Sequence, residues 1–123
     1  MKYTILNDTH IGALRASGTS PQSAKALRDY AINNFCKLLD GIDNDLIILG
    51  DLFDGFSVPL SDALATLKLL QRWLGKGYRL VLVPGNHDLS SDSSKLSTFE
   101  FVSQVLLESE NVAYLRGGGW LSE

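Results

Sequence analysis

Two histidines occur in this 123-residue chain, His10 and His87, and each stands next to or near aspartate. The clusters that contain or match them are Asn7-Asp8-Thr9-His10, Gly50-Asp51-Leu52-Phe53-Asp54 and Pro84-Gly85-Asn86-His87-Asp88. Brought together, they would supply carboxylates, imidazoles and a carboxamide without any thiolate. That hard, oxygen-rich set with some nitrogen suits Mn²⁺, Fe or Zn²⁺ acting on an oxygen-centred substrate. Carboxylates crowded into one cleft raise each other's pKa, and a bound cation removes the conflict. In Asp8-Thr9-His10 the two-residue spacing puts both donors on one side of an extended segment. Gly50 and Gly85 permit tight turns and close approach of the backbone to a metal or phosphate. The competing reading is that Asp, Asn and Gly stand here as turn and cap residues, for backbone reasons alone. Asp88 reads that way, and Asp54 is open between capping the following segment and orienting a neighbouring histidine.

Clusters so far apart in sequence can meet only if regular elements carry them to one place. Three short, nearly continuous and partly β-branched apolar runs, Tyr3 to Leu6, Leu46 to Leu49 and Leu80 to Val83, read as strands buried on both faces. Val112 to Leu115 is a shorter fourth candidate. Between the first two strands Ser20 can cap a helix that has Pro21 at its first position, shows Leu27, Ala31, Phe35 and Leu38 on one face, and stops at Asp40-Gly41. A second helix is predicted to open near Ser61 and Asp62, to run through Leu64, Leu67, Leu70 and Leu74, and to end at Gly75 or Gly77. A third begins at the capping box Ser97-Thr98-Phe99-Glu100 and turns Val102, Val105 and Leu106 inward. The resulting order, β-α-β-α-β-α-β, is that of an α/β domain with a parallel sheet. Each chemical cluster directly follows a strand, so all three belong to the C-terminal edge of the sheet, where ligands of open α/β sheets bind.

Composition limits the remaining possibilities. With 45% hydrophobic residues the chain has the material of one packed domain, and residues 1–123 show no internal repeat or interdomain linker. Eleven Lys and Arg against 14 Asp and Glu give a net charge of −3, and no basic block appears. A sequence-wide nucleic-acid surface is excluded, whereas a local patch is not. The single cysteine, Cys36, excludes a disulfide framework and every Cys-rich zinc site; it reads as a small core-facing residue beside Phe35 and implies a reducing compartment, hence the cytoplasm. The apolar run at Met1 to Leu6 is too short for a signal peptide, and no stretch approaches the ~18 apolar residues of a membrane span. Trp73 and Trp120 read as packing residues. The serine-rich stretch Ser90 to Ser97 reads as a surface loop, and so does Gly12 to Thr19, whose Arg15 is a candidate contact for substrate phosphates.

In order and in residue type, Asp8-Thr9-His10, Gly50-Asp51-Leu52-Phe53-Asp54 and Gly85-Asn86-His87-Asp88 resemble the first three motifs of the calcineurin-like metallophosphoesterases (D-x-H, G-D-x-x-D and G-N-H-D/E). Within that superfamily, Asp8-Thr9-His10-Ile11-Gly12 and Gly50-Asp51-Leu52-Phe53-Asp54 are similar to the nuclease subunits of SbcCD-type DNA repair complexes, phage-encoded relatives included. The resemblance implies that Asp8 and His10 bind a first metal, Asp51 bridges two metals and Asn86 binds the second. It gives His87 the role of stabilising charge on the scissile phosphate or protonating the leaving oxygen, with Asp54 orienting it. Phosphodiester hydrolysis is the implied activity, with Mn²⁺ favoured over Fe or Zn²⁺, DNA as substrate and an SbcC-like ATPase as partner. The alternatives are a phosphomonoesterase or small-molecule phosphodiesterase with the same metals, and an inactive metal-binding or interaction fragment. A complete site of this family takes further histidines from a later lone His and a G-H-x-H motif, and no histidine follows His87. The family's two-sheet sandwich is also about twice this length. Residues 1–123 are therefore expected to be one partial domain, the N-terminal half of such a sandwich in a truncated chain.

Overall fold

A computed structural model describes residues 2–7, 9, 11, 21–50, 52–53, 58–85 and 97–115, with side chains in the first helix from Lys25 onward. The elements are β1 (Tyr3–Leu6), α1 (Pro21–Asp40), β2 (Asp45–Leu49), α2 (Leu60–Leu74), β3 (Leu80–Val83), α3 (Thr98–Leu106) and β4 (Val112–Tyr114). The strands form one parallel sheet in the order β1-β2-β3-β4. The fold is thus α/β, with a four-stranded all-parallel sheet and the element order read from the sequence. No helix among the described residues is long and apolar enough to cross a membrane.

Sequential parallel strands joined by right-handed crossovers must carry all their helices on one face. Burial follows that rule. Leu46 and Ile48 of β2 and Leu80 and Leu82 of β3 are buried beneath Phe35 and Leu39 of α1, Leu67, Leu70 and Trp73 of α2, and Phe99, Val102 and Leu106 of α3. On the other face, Tyr3 is 53% exposed, Ile5 51% and Leu49 38%, and Ile47, Val81 and Val83 are half-buried. The continuous apolar runs predicted strands buried on both faces; the described residues cover one face only.

The helices depart from their predicted faces in an instructive way. In α1, Leu27 and Leu38 are 55% and 47% exposed, while Phe35 and Leu39 are buried and Ala31 and Ile32 half-buried. Apolar residues lie on both sides of this helix, and the sheet takes the stripe through Ala31, Phe35 and Leu39. Arg28 continues that stripe and meets Asp62 of α2, with Nε and Oδ2 3.0 Å apart in a mostly buried ion pair that lacks hydrogen-bond alignment. The helix α2 starts at Leu60 after Pro59, without a side-chain cap, and Asp62 sits buried in its first turn. Leu64 faces outward, and Trp73 takes the inward position and donates from Nε1 to Ile42 O at 3.1 Å. Cys36 is half-buried and not in the core; its Sγ accepts from Arg72 Nη2 at 3.1 Å, beside the Arg72–Asp40 ion pair. Together these neighbours, the Cys36 contact first, raise the pKa of Arg72 above its ordinary value. The α3 capping box forms as predicted, Ser97 Oγ accepting from Glu100 N and Glu100 Oε1 accepting from Ser97 N, both at 3.0 Å.

The end of α1 is closed by α2. Lys76, just past the end of α2, directs its ammonium onto Leu39 O, Asp40 O and Ile42 O at 3.1–3.2 Å and onto Asp43 Oδ1 at 3.1 Å. A helix C-terminus leaves carbonyls without intrahelical partners, and a cation there satisfies them and opposes the helix dipole. Lys76→Met keeps the aliphatic stem and removes every donor. It is expected to lower unfolding stability by about 1–2 kcal/mol in urea titration, whereas substitution of the outward-facing Leu64 by Gln should change it little.

Candidate metal centre

Because β1, β2 and β3 are parallel neighbours, the chain leaves all three at the same edge of the sheet. Beyond β1 the described chain continues through Asn7, Thr9 and Ile11, beyond β2 through Gly50, Leu52 and Phe53, and beyond β3 through Pro84 and Gly85. The first two exits are joined to each other. Leu52 O accepts Ile11 N at 2.9 Å and Thr9 Oγ1 at 2.8 Å, and Ile11 pairs with Phe53 in an isolated parallel bridge. The sequence offset between partners in that bridge equals the offset between Leu6 and Ile48 at the end of the β1–β2 ladder. Pairing is interrupted and then resumes in the same register, so the two intervening segments are of equal length. The second exit is joined to the third by Gly50 N, which donates to Val83 O at 2.6 Å and extends the β2–β3 ladder by one residue.

What fixes these turns is apolar burial between the polar positions. Ile11 is fully buried, and Leu52 and Phe53 are buried to within 1%. These large apolar groups anchored in the core act together with the hydrogen bonds onto Leu52 O to hold the strand exits. Gly50 is buried with φ +58, a left-handed conformation in which a Cβ would meet the following carbonyl. The strand thus ends, immediately before Asp51, in a backbone conformation that glycine adopts without strain.

The predicted ligands and reacting groups, Asp8, His10, Asp51, Asp54, Asn86 and His87, lie outside the described residues, and so does the candidate phosphate contact Arg15. The described backbone reaches Asn7, Thr9 and Ile11 around the first pair, Gly50 and Leu52 around Asp51, and Gly85 before Asn86. Among the described residues no group of three or more His, Cys, Asp or Glu gathers that could hold a metal ion. The sequence singled out Thr9 only as the spacer in Asp8-x-His10. Nothing in the residue type alone marks its hydroxyl as a donor to a neighbouring strand exit.

The adjacent strand ends of this parallel sheet are tied together where carboxylate, imidazole and carboxamide residues enter the sequence, at the edge where open α/β sheets bind ligands. The family model described as calcineurin-like phosphoesterase matches residues 1–121, and the chain belongs to that family. Its members act on phosphoester bonds with divalent metals. No curated protein matches the chain.

Gly50→Ala should test the left-handed backbone at the end of β2. The substitution is expected to destabilise the fold by about 1–2 kcal/mol, read from the urea midpoint, with Gly50→Asn less costly because Asn tolerates the left-handed region better.

Proposed function

We propose that this chain supplies the first part of a dinuclear centre that hydrolyses phosphodiesters, with DNA as the favoured substrate. The supporting observation is the junction at Leu52 O. The segments that contain Asp8, His10 and Asp51 leave adjacent strands, keep one register across their gap, and are tied together by two hydrogen bonds. In this reading Asp8 and His10 hold one ion, Asp51 bridges both and Asn86 holds the second. The donors fit divalent ions in kind, being carboxylate oxygen, imidazole nitrogen and carboxamide oxygen without thiolate, and Mn²⁺ is the favoured metal. When bound, two such ions lower the pKa of water and neutralise charge on the phosphate. His87 would act at the scissile phosphate, stabilising its charge or protonating the leaving oxygen, and the Asp54 carboxylate would accept a hydrogen bond that orients its ring. Arg15 contacts phosphates further along the substrate.

The resemblance to SbcCD-type nuclease subunits favours DNA over a phosphomonoester and makes an SbcC-like ATPase, in the cytoplasm, the expected partner. No histidine follows His87, so residues 1–123 do not supply the later histidine motifs of the family. Residues 1–123 alone are expected to bind a single ion weakly and to show essentially no hydrolysis of DNA or of an aryl phosphodiester.

Two substitutions separate the proposed roles once the later histidine motifs are supplied in cis. His87→Ala is expected to leave metal content nearly intact, measured by elemental analysis, while turnover falls by about 10²-fold or more. Asp51→Ala should lose metal and activity together. Faster hydrolysis of an aryl phosphomonoester than of DNA by the parent enzyme would favour a phosphatase and overturn the nuclease reading.

A further inference from the structure

We propose that Thr9 is a positioning residue of the metal centre, its hydroxyl locking the segment that carries Asp8 and His10 onto the segment that carries Asp51. The inference rests on the site reading above and adds to it a residue with no ligand role. Thr9 Oγ1 donates to Leu52 O at 2.8 Å, and the same oxygen accepts Ile11 N at 2.9 Å. A carbonyl has two lone pairs, and here both are used by one short segment of the neighbouring strand exit. His10 lies between the two donors in sequence, Asp8 directly precedes the first, and Asp51 directly precedes the acceptor. Three proposed ligands are each covalently next to a member of one three-centre junction.

A backbone bond from Ile11 alone fixes one point of the first segment relative to Leu52 and leaves rotation about that point. The second bond, two residues earlier, removes that freedom on the side where Asp8 enters. Ligands that approach a cation from two separate turns must hold their spacing to a fraction of an ångström, and groups that orient ligands without touching metal typically contribute 10- to 100-fold in affinity. Thr9 is half-buried, beside the buried Ile11 and Leu52, so its hydrogen bond is partly shielded from competing water. Its β-branched side chain also has few rotamers to lose when the bond forms.

The test is Mn²⁺ titration, by calorimetry or by the EPR signal of free Mn²⁺, of the parent chain and of Thr9→Val, Thr9→Ser and Asp51→Ala. Valine keeps the shape and branching of threonine without the hydroxyl; serine keeps the hydroxyl. Circular dichroism of each metal-free protein reports whether the fold is retained. Thr9→Val is expected to bind Mn²⁺ about tenfold more weakly than the parent with little change in the metal-free melting curve, and Thr9→Ser should recover most of the affinity. If Thr9→Val matches the parent while Asp51→Ala loses the ion, the positioning role is overturned and the site reading stands. If Asp51→Ala matches the parent, or the parent binds no Mn²⁺, the site reading fails and the inference fails with it. Equal losses in Thr9→Val and Thr9→Ser would also overturn it, since the hydroxyl would then not be the operative group.

Discussion

One carbonyl oxygen, that of Leu52, joins the exits of β1 and β2, and the candidate centre depends on that junction. Parallel pairing ends at Leu6 and Ile48 and resumes at Ile11 and Phe53 in unchanged register. A parallel sheet ordinarily loses its ladder where its strands end, and the backbone groups beyond turn to water or to side chains. Here the ladder closes again past the polar residues, anchored by Ile11, Leu52 and Phe53 in the core. The backbone next to Asp8, His10 and Asp51 is thereby held by apolar packing, a main-chain hydrogen bond from Ile11 and the Thr9 hydroxyl, uncharged groups indifferent to the charges that a metal site must concentrate.

The two edges of the sheet divide their tasks. At the edge where the strands begin, charges and polar groups are spent on structure. Lys76 closes the end of α1, Trp73 Nε1 reaches Ile42 O, Thr4 Oγ1 donates to Asn44 Oδ1, and Arg79 N donates to Asp45 Oδ1. At the edge where the strands end, the sequence concentrates its histidines and the aspartates of the three motifs. Strand ends of open α/β sheets are suited to that use because loops there can change without disturbing the ladder. The family membership and the chemistry of the motifs agree with this division.

Much of the scaffold was legible in the sequence. The four strands could be read to within a residue because the apolar runs are bounded by polar residues, Gly or Pro, and α3 because Ser97 and Glu100 form a capping box that a three-residue spacing announces. The inward face of α1 was not legible, since Leu27 and Leu38 are as apolar as Phe35 and Leu39 and only the position of the sheet chooses between them. Nor was the buried Arg28–Asp62 pair, because nothing in the sequence places Arg28 of α1 across from Asp62 of α2. For the candidate site, the motif residues were legible by type and spacing, and their roles rest on that resemblance. The junction that holds their neighbours was not, because its acceptor is a backbone carbonyl, a group that every residue carries.

The most direct test of the central claim is where a paramagnetic ion sits. Substoichiometric Mn²⁺ added to ¹⁵N-labelled protein broadens amide resonances steeply with proximity. The amides of Asn7, Thr9, Ile11, Gly50, Leu52 and Gly85 are expected to broaden first, and those of Gly41, Asp43, Gly77 and Arg79 at the opposite edge last. Broadening that begins at Asp43 and Arg79, or that spreads evenly over the chain, would contradict a metal centre at the C-terminal edge of the sheet.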